Sequence, residues 1–148
     1  MPVEVERKFR ITSLDASRLP DGEAITQGYL SFEPEVRVRL RADRAFLTVK
    51  GPGTHERREF EYRIPFDDGR ELLGLCSATI TKTRYIVGNI EIDVYHGALE
   101  GLAVAEVEGR ADSVTRPEWI EWVEVTGDSR YLNRNLARAG RLPDHPDQ

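Results

Sequence analysis

The sequence has a single cysteine, Cys76, among its 148 residues. A disulfide within the chain is therefore impossible, and a zinc site built on several thiolates is excluded as well. No apolar run approaches the roughly 20 residues that a membrane-spanning helix needs. The N-terminal residues MPVEVERKFR are charged almost at once and do not resemble a signal peptide. From these absences we expect a cytoplasmic protein with no membrane partner.

A basic surface is also lacking, because the formal net charge is -5. Since phosphate backbones attract basic proteins, we expect no nucleic-acid partner. The length suits one domain with a sizeable core. The residues after Gly140, RLPDHPDQ, are polar and rich in proline. The sequence therefore predicts one domain over residues 1–140, followed by a flexible tail at 141–148.

Alternation of apolar and charged residues with a period of two is the strongest pattern in the chain, and it predicts β-strands. Seven segments show it clearly: Val3–Phe9, Val36–Arg41, Phe46–Lys50, Glu59–Ile64, Thr81–Val87, Ile90–Tyr95 and Ala103–Glu108. Gly28–Phe32 and Glu121–Thr126 show it more weakly. We expect eight or nine strands in all.

Three segments favour helices, and they are short. Ser13–Leu19 is the weakest, whereas Asp67–Leu75 has leucines at helical spacing. Ser129–Ala139 is the best candidate, because Asp128 or Ser129 can cap its start and Gly140 can end it. Many antiparallel strands with few helices predict a mainly β (α+β) fold, a barrel or a sandwich covered by helices.

Charged residues two apart on a strand point to the same face. Glu4, Glu6 and Lys8 share one face of the first strand, and for one strand alone a solvated edge is the simpler interpretation. The pattern recurs, however, with the signs grouped by strand: Arg37 and Arg39, Glu59 and Glu61, Lys82 and Arg84, Glu91 and Asp93, and Glu106 and Glu108. A closed barrel with a charged, hydrated interior explains this grouping.

Such an interior has a chemical use. Carboxylate oxygens from several strands can hold a hard divalent cation such as Mg²⁺ or Mn²⁺. Arginine and lysine on facing strands can hold phosphate oxygens. The charge pattern therefore favours a metal-dependent site for a small phosphorylated substrate.

The motifs that carry these charges resemble the CYTH superfamily, also called triphosphate tunnel metalloenzymes. VEVERKF at residues 3–9 is similar to the family signature Glu-x-Glu-x-Lys. The other similar segments follow in the family's order: QGYL, VRVRL, LTVKG, REFEY, KTRY, IEIDVY, AEVE and EVTGDSRYLNRNLA. Together they span nearly the whole chain to Gly140, and they look most like the short bacterial branch.

The resemblance implies an eight-stranded antiparallel barrel closed into a tunnel. It implies metal ligation by acids on four strands: Glu4, Glu6, Glu59, Glu61, Asp93, Glu106 and Glu108. It implies substrate binding by six bases: Lys8, Arg37, Arg39, Lys50, Lys82 and Arg84. Arg41 extends the arginine row and is expected at the tunnel mouth, and Glu91 is expected to be an ion-pair partner.

Short bacterial members of this family look mainly like inorganic triphosphatases, so the resemblance implies hydrolysis of tripolyphosphate to pyrophosphate and phosphate. Lys8, Lys82 and Tyr29 are the candidates for the general base, and Tyr29 can equally be a structural aromatic against the C-terminal helix. A class IV-like adenylate cyclase, a thiamine or nucleoside triphosphatase and a non-enzymatic polyphosphate- or nucleotide-binding module remain alternatives. The apolar outer face leaves room for a homodimer.

Overall fold

A computed structural model describes residues 5–52, 57–109 and 114–144, without the side chains of Val5 and Gly109. Nine strands, β1 to β9, form its sheet: Val5–Leu14, Glu23–Phe32, Glu35–Arg41, Arg44–Lys50, Glu59–Ile64, Ala78–Val87, Ile90–Tyr95, Ala103–Gly109 and Ile120–Glu124. Two α-helices accompany them, α1 at Phe66–Leu73 and α2 at Asn133–Ala139. In the described part of the chain, no helix has the length and apolar character to cross a membrane.

All nine strands belong to one antiparallel sheet in the order β5-β4-β3-β2-β6-β7-β8-β1-β9. The prediction of an eight-stranded closed barrel is therefore wrong. Among the described residues β5 and β9 are the two edges, and no ladder of hydrogen bonds joins them. One side of β1 pairs with β8, and β9 pairs with the other side, from Phe9 opposite Glu124 to Leu14 opposite Ile120. The additional strand β9 therefore forms the edge of the sheet next to β1. Alternation predicts strands and faces, but it does not predict which strand is next to which.

The concave face of the curved sheet has a charged half and an apolar half. Tyr29, Ile80 and Val104 lie on the same strand faces as the charged residues of β2, β6 and β8, and they pack with Leu136 and Ala137 of α2. Helix α2 therefore closes one end of the concavity from inside. The expectation that the helices cover the outer face holds only for α1, where a Cβ on Gly69 would lie 2.6 Å from Ala45 Cβ and 2.9 Å from Leu40 Cδ2.

The best predicted helix is interrupted. Ser129–Tyr131 is a 3-10 turn capped by Asp128, Leu132 is extended with φ -68° and ψ 133°, and α2 then runs to Gly140, whose φ is +64°. Ser13–Leu19 is also reduced to a 3-10 turn, at Ala16–Arg18. The break at Leu132 turns the chain so that the residues after it approach the charged half of the concave face.

Candidate functional site

A cavity of about 180 Å³ lies in the charged half of the concave face, and it is called the central cavity below. Six predicted site residues line it: Glu6, Lys8, Tyr29, Arg37, Lys50 and Glu106. Five further residues complete the wall: Glu35, Arg57, Leu132, Asn133 and Arg134. Strands β1, β2, β3, β4 and β8 therefore bring acids and bases together with the segment that leads into α2.

Arg37 is the most buried cation of the central cavity, with 8% of its surface exposed. Its Nη2 lies 3.5 Å from Thr48 Oγ1 and 3.8 Å from Glu61 Oε1, both of which are long contacts. Its Nε is buried and has no hydrogen-bond partner among the described residues. A buried guanidinium with an unused donor is costly unless an acceptor completes it, and a phosphate oxygen is such an acceptor.

Lys8 of β1 and Lys50 of β4 line the central cavity together with Arg37. Lys8 Nζ is 3.2 Å from Glu106 Oε1 and donates to the carbonyl oxygen of Tyr131 at 3.2 Å. Burial lowers the pKa of Lys50, and the charge of Arg37 lowers it further. Burial and a neighbouring cation thus both disfavour the charged form of Lys50, and an anion bound between Arg37 and Lys50 would favour that form.

Glu6 and Glu106 form the acidic end of the central cavity. Glu108 is opposite Glu6 in the β1–β8 register, and Glu106 is opposite Lys8. Desolvation raises the pKa of Glu6, and the charge of Glu106 raises it further, since the two carboxyl groups lie within hydrogen-bonding reach. Two acids held together in this way favour either a shared proton or a bound cation.

A second group of predicted residues is packed away from the central cavity and is called the buried charge cluster: Arg39, Lys82, Arg84 and Asp93. Asp93 accepts two hydrogen bonds from Arg84, at 2.8 and 3.1 Å, and its Oδ2 lies 2.8 Å from Lys82 Nζ. Burial alone would raise the pKa of Asp93, but the hydrogen bonds from Arg84 and the charge of Lys82 keep that pKa low. Asp93 is thus fully engaged with cations in this structure.

Burial decides the direction of the pKa shift for two cations of this cluster, Lys82 and Arg39, whereas the contacts with Asp93 raise the pKa of Arg84. Burial lowers the pKa of Lys82 to about 8 against the opposing charge of Asp93. It lowers the pKa of Arg39 to about 10, with further lowering by Arg37 and Arg84. Lys82 is 1% exposed. Its ammonium group therefore lies behind the cavity wall.

The remaining predicted acids are at the rim. Glu61 accepts from Thr48 at 2.9 Å, and Glu59 is opposite Lys50 in the β4–β5 register. Both are exposed, as is Glu108. Glu4 lies outside the described residues. Arg41 pairs with Glu23 at 2.8 Å, and Glu91 pairs with Arg84 at 3.1 Å, the kind of partner that the sequence predicted for Glu91.

The family model of the CYTH domain matches residues 2–137. The chain belongs to the CYTH family. It is similar to the inorganic triphosphatase of Acetivibrio thermocellus, with 40% identity over 93% of this chain and 95% of the relative. It is also similar to the inorganic triphosphatase of Nitrosomonas europaea, with 34% identity over 90% of this chain and 96% of the relative. A crystal structure of an inorganic triphosphatase superposes with a TM-score of 0.72, 31% identity and coverage of 93% of this chain and 95% of that one.

Triphosphatases of the CYTH family are metal-dependent in general. Among the described residues of this CYTH domain, no group of three or more His, Cys, Asp or Glu side chains is arranged to hold a metal ion. The donor chemistry nevertheless fits, because Glu6 and Glu106 are paired carboxylates and the pKa of Glu6 is raised. A divalent cation at this pair would remove the repulsion that raises the pKa.

The pattern of the sequence did not single out four polar or charged residues that line the central cavity: Glu35, Arg57, Asn133 and Arg134. Glu35 is 4% exposed, and its carboxylate lies 3.5 Å from Arg57, 3.8 Å from Arg134 and 3.8 Å from Lys50. Asn133 accepts a hydrogen bond from the buried Tyr95 hydroxyl at 2.7 Å. These residues were hard to recognise in the sequence. Glu35 comes just before the arginines of β3, and the other three lie outside the segments with alternating apolar and charged residues.

Tyr29 packs as a structural aromatic and also reaches the central cavity, where its role as a base stays untested. Its ring is 1% exposed and packs in the cluster that contains Leu136 of α2. Its side chain also lines the central cavity, with Gln27 Nε2 at 3.5 Å from the hydroxyl. Burial raises the pKa of Tyr29 to about 12. The hydroxyl therefore stays protonated at neutral pH and can donate a hydrogen bond there.

Proposed function

We propose that this CYTH domain hydrolyses inorganic triphosphate, the substrate in its relatives' names, and that the products are pyrophosphate and phosphate. The observation that carries the proposal is the unsatisfied cationic wall of the central cavity, above all the buried Nε of Arg37 without a partner. The family membership and the identity to two inorganic triphosphatases over nearly the full length support it. The product pair follows from breaking one phosphoanhydride bond with water.

Lys8, Arg37 and Lys50 bind the phosphate chain in this proposal, because all three line the central cavity. Arg37 supplies a planar, bidentate donor, and the lysines supply point charges. Arg57 and Arg134 add positive charge on the side of Glu35. The other predicted substrate-binding residues, Arg39, Lys82 and Arg84, do not line the central cavity. In this proposal they act on the phosphates at longer range, through the electrostatic field of the buried charge cluster.

Glu6 and Glu106 would hold Mg²⁺ or Mn²⁺, with Glu108 beside them and Glu4 as the further predicted ligand. When bound, such an ion neutralises phosphate charge and polarises a water molecule. Glu59 and Glu61 stay predicted ligands at the rim, and Asp93 stays one only if Arg84 and Lys82 release it. The protein's own contribution is to position the phosphates in line for attack and to stabilise the developing charge.

Lys8 is the candidate base best placed to accept the proton of the attacking water, because its side chain lines the central cavity and its Nζ lies 3.2 Å from Glu106, a proposed ligand of the metal that would hold that water. Tyr29 is protonated and serves better as a donor to a phosphate oxygen. Lys82 has the lowered pKa that a base needs, but its Nζ contacts Asp93 rather than the cavity. A structure with tripolyphosphate bound would distinguish Lys8 from Lys82 directly.

The substrate prediction is tested by steady-state kinetics on three compounds under one metal condition. We expect kcat/KM to be highest for tripolyphosphate, and lower for ATP and thiamine triphosphate. The central cavity offers charged groups for the phosphates, and no aromatic pair of the described residues faces it to stack a base. Formation of cyclic AMP from ATP faster than tripolyphosphate hydrolysis would identify a cyclase, and binding of all compounds without turnover would identify a binding module.

The homodimer for which the sequence leaves room is proposed at the edge strand β5, where Phe60 and Tyr62 are 43% and 58% exposed. Two copies of β5 paired antiparallel about Glu61 would place Glu59 opposite Arg63 and Phe60 opposite Tyr62, and these contacts would have to outweigh the repulsion between the two facing copies of Glu61. We expect Tyr62→Ser to shift the sedimentation coefficient from dimer to monomer. Identical sedimentation of the two proteins would exclude this interface. We also propose that the protein is cytoplasmic, which imaging of a tagged chain would test.

A further inference from the structure

A second cleft of about 310 Å³ lies beside the central cavity, between the β2–β3 turn, the chain before β5 and helix α2. It is called the arginine cleft here, after Arg57, Arg134 and Arg138, which line it. Glu35, Arg57 and Arg134 are walls of both spaces. The cleft is therefore adjacent to the site of the proposed reaction, and an anion in one space is within reach of cations of the other.

The charges of the arginine cleft do not balance. Its acids are Glu33, which is exposed, and Glu35, whose buried carboxylate is shared among Arg57, Arg134 and, from the cavity side, Lys50. The contacts are 3.5 to 3.8 Å long, so none of these cations is saturated by Glu35. One buried carboxylate between three cations leaves positive charge that a further anion can neutralise.

Arg138 is the cation that belongs to the arginine cleft alone. Its guanidinium carbon lies 4.1 Å from the centroid of the Phe32 ring, over the face of that ring. It forms no ion pair with any residue of the described ranges. A cation–π contact of this kind does not occupy the N–H donors in ion pairs, and those donors can bind phosphate oxygens in a bidentate manner.

We propose that the arginine cleft is a second phosphoryl-binding subsite, which takes a phosphate group in addition to those in the central cavity. The proposal rests on the proposed function, since the triphosphate site defines which space is the second. The same chemistry can come from two sources, the end of a linear chain longer than three phosphates or a free phosphate ion. Arg138 and Arg134 bind the group, and Glu35 fixes Arg57 and Arg134 between the two spaces.

The test compares Arg138→Gln with the matched control Arg70→Gln, because Arg70 is an exposed arginine in the last turn of α1 as Arg138 is in α2. If a chain end occupies the cleft, Arg138→Gln raises KM for linear tetrapolyphosphate about tenfold, the loss of a charge-assisted contact. The kinetics on tripolyphosphate stay unchanged. If free phosphate occupies it, phosphate inhibits tripolyphosphate hydrolysis non-competitively, and Arg138→Gln weakens that inhibition about tenfold.

Either result supports the subsite, provided that Arg70→Gln matches the parent protein. Equal kinetics on tetrapolyphosphate together with equal inhibition by phosphate would overturn it. If the parent protein does not hydrolyse tripolyphosphate, the proposed function fails independently of the subsite. The arginine cleft is then tested by calorimetric titration with inorganic phosphate. Weaker phosphate binding by Arg138→Gln would still support the subsite, whereas binding equal to that of the parent would refute it.

Discussion

Arg37→Met is expected to lower kcat/KM for tripolyphosphate by about 100-fold, because it removes a bidentate, charge-assisted contact of about 3 kcal/mol to the phosphate chain. The melting temperature is expected to stay equal or to rise. Methionine keeps the apolar stem, and the exchange removes a buried Nε that has no partner among the described residues. Thermal unfolding and steady-state kinetics on the same preparations check both parts.

Arg63→Met is the control for this variant. Arg63 lies on β5, opposite Phe46 of β4, and is exposed away from the central cavity. We expect it to change activity little, and to leave the melting temperature unchanged at a protein concentration at which no β5 contact between copies forms. An Arg37→Met protein that hydrolyses tripolyphosphate as fast as the Arg63→Met protein would remove Arg37 from the site. A large drop in its melting temperature would mean that the guanidinium is structural.

Glu6→Gln is expected to have an effect of similar size, about 100-fold on metal-supported hydrolysis. In the parent protein, Mn²⁺ at about 100 times its dissociation constant should stabilise the fold by about 2.7 kcal/mol and raise the melting temperature by roughly 5 to 10 °C. In Glu6→Gln this rise should be lost. The melting temperature in chelator should not fall, because the exchange removes the repulsion between Glu6 and Glu106.

Glu121→Gln is the matched control, since the Glu121 side chain is 66% exposed on β9 and its contact with Arg116 is 3.6 Å long. It should keep both the activity and the Mn²⁺-dependent rise in melting temperature. A Glu6→Gln protein that is still stabilised by Mn²⁺ would place the metal elsewhere. Loss of the rise in both proteins would mean that Mn²⁺ stabilises the fold through the overall negative charge of the protein and not through a site at Glu6.

Alternation was enough to predict most strands of this fold. It gave the bounds of β5 and β7 to the residue, because the inner faces of these strands are largely charged: Glu59, Glu61 and Arg63 on β5, and Glu91 and Asp93, followed by Tyr95, on β7. It missed the start of β2, where the inner-face residues after Glu23 are Ile25 and Gln27 rather than charges. It also could not show that Tyr29 and Ile80 continue the inner face as an apolar floor for α2.

The candidate site was predictable only where it lies on strands. Lys8, Arg37 and Lys50 follow from their strand faces, and they meet at the central cavity. Asn133 and Arg134 reach the same cavity because the chain breaks at Leu132, and no residue pattern announces that break. Lys82 lies on the predicted strand face as well, but its Nζ is buried against Asp93 instead of lining the central cavity. That burial depends on tertiary packing, which alternation does not predict.

The reaction is tested most directly by product analysis of tripolyphosphate incubated with the purified chain, with Mg²⁺ or Mn²⁺ in one arm and EDTA in the other. Our central prediction is that equal amounts of pyrophosphate and phosphate form with metal, that none form with EDTA, and that the reaction recovers when metal is restored. Undiminished hydrolysis in EDTA, or intact tripolyphosphate in the presence of either metal, would contradict it.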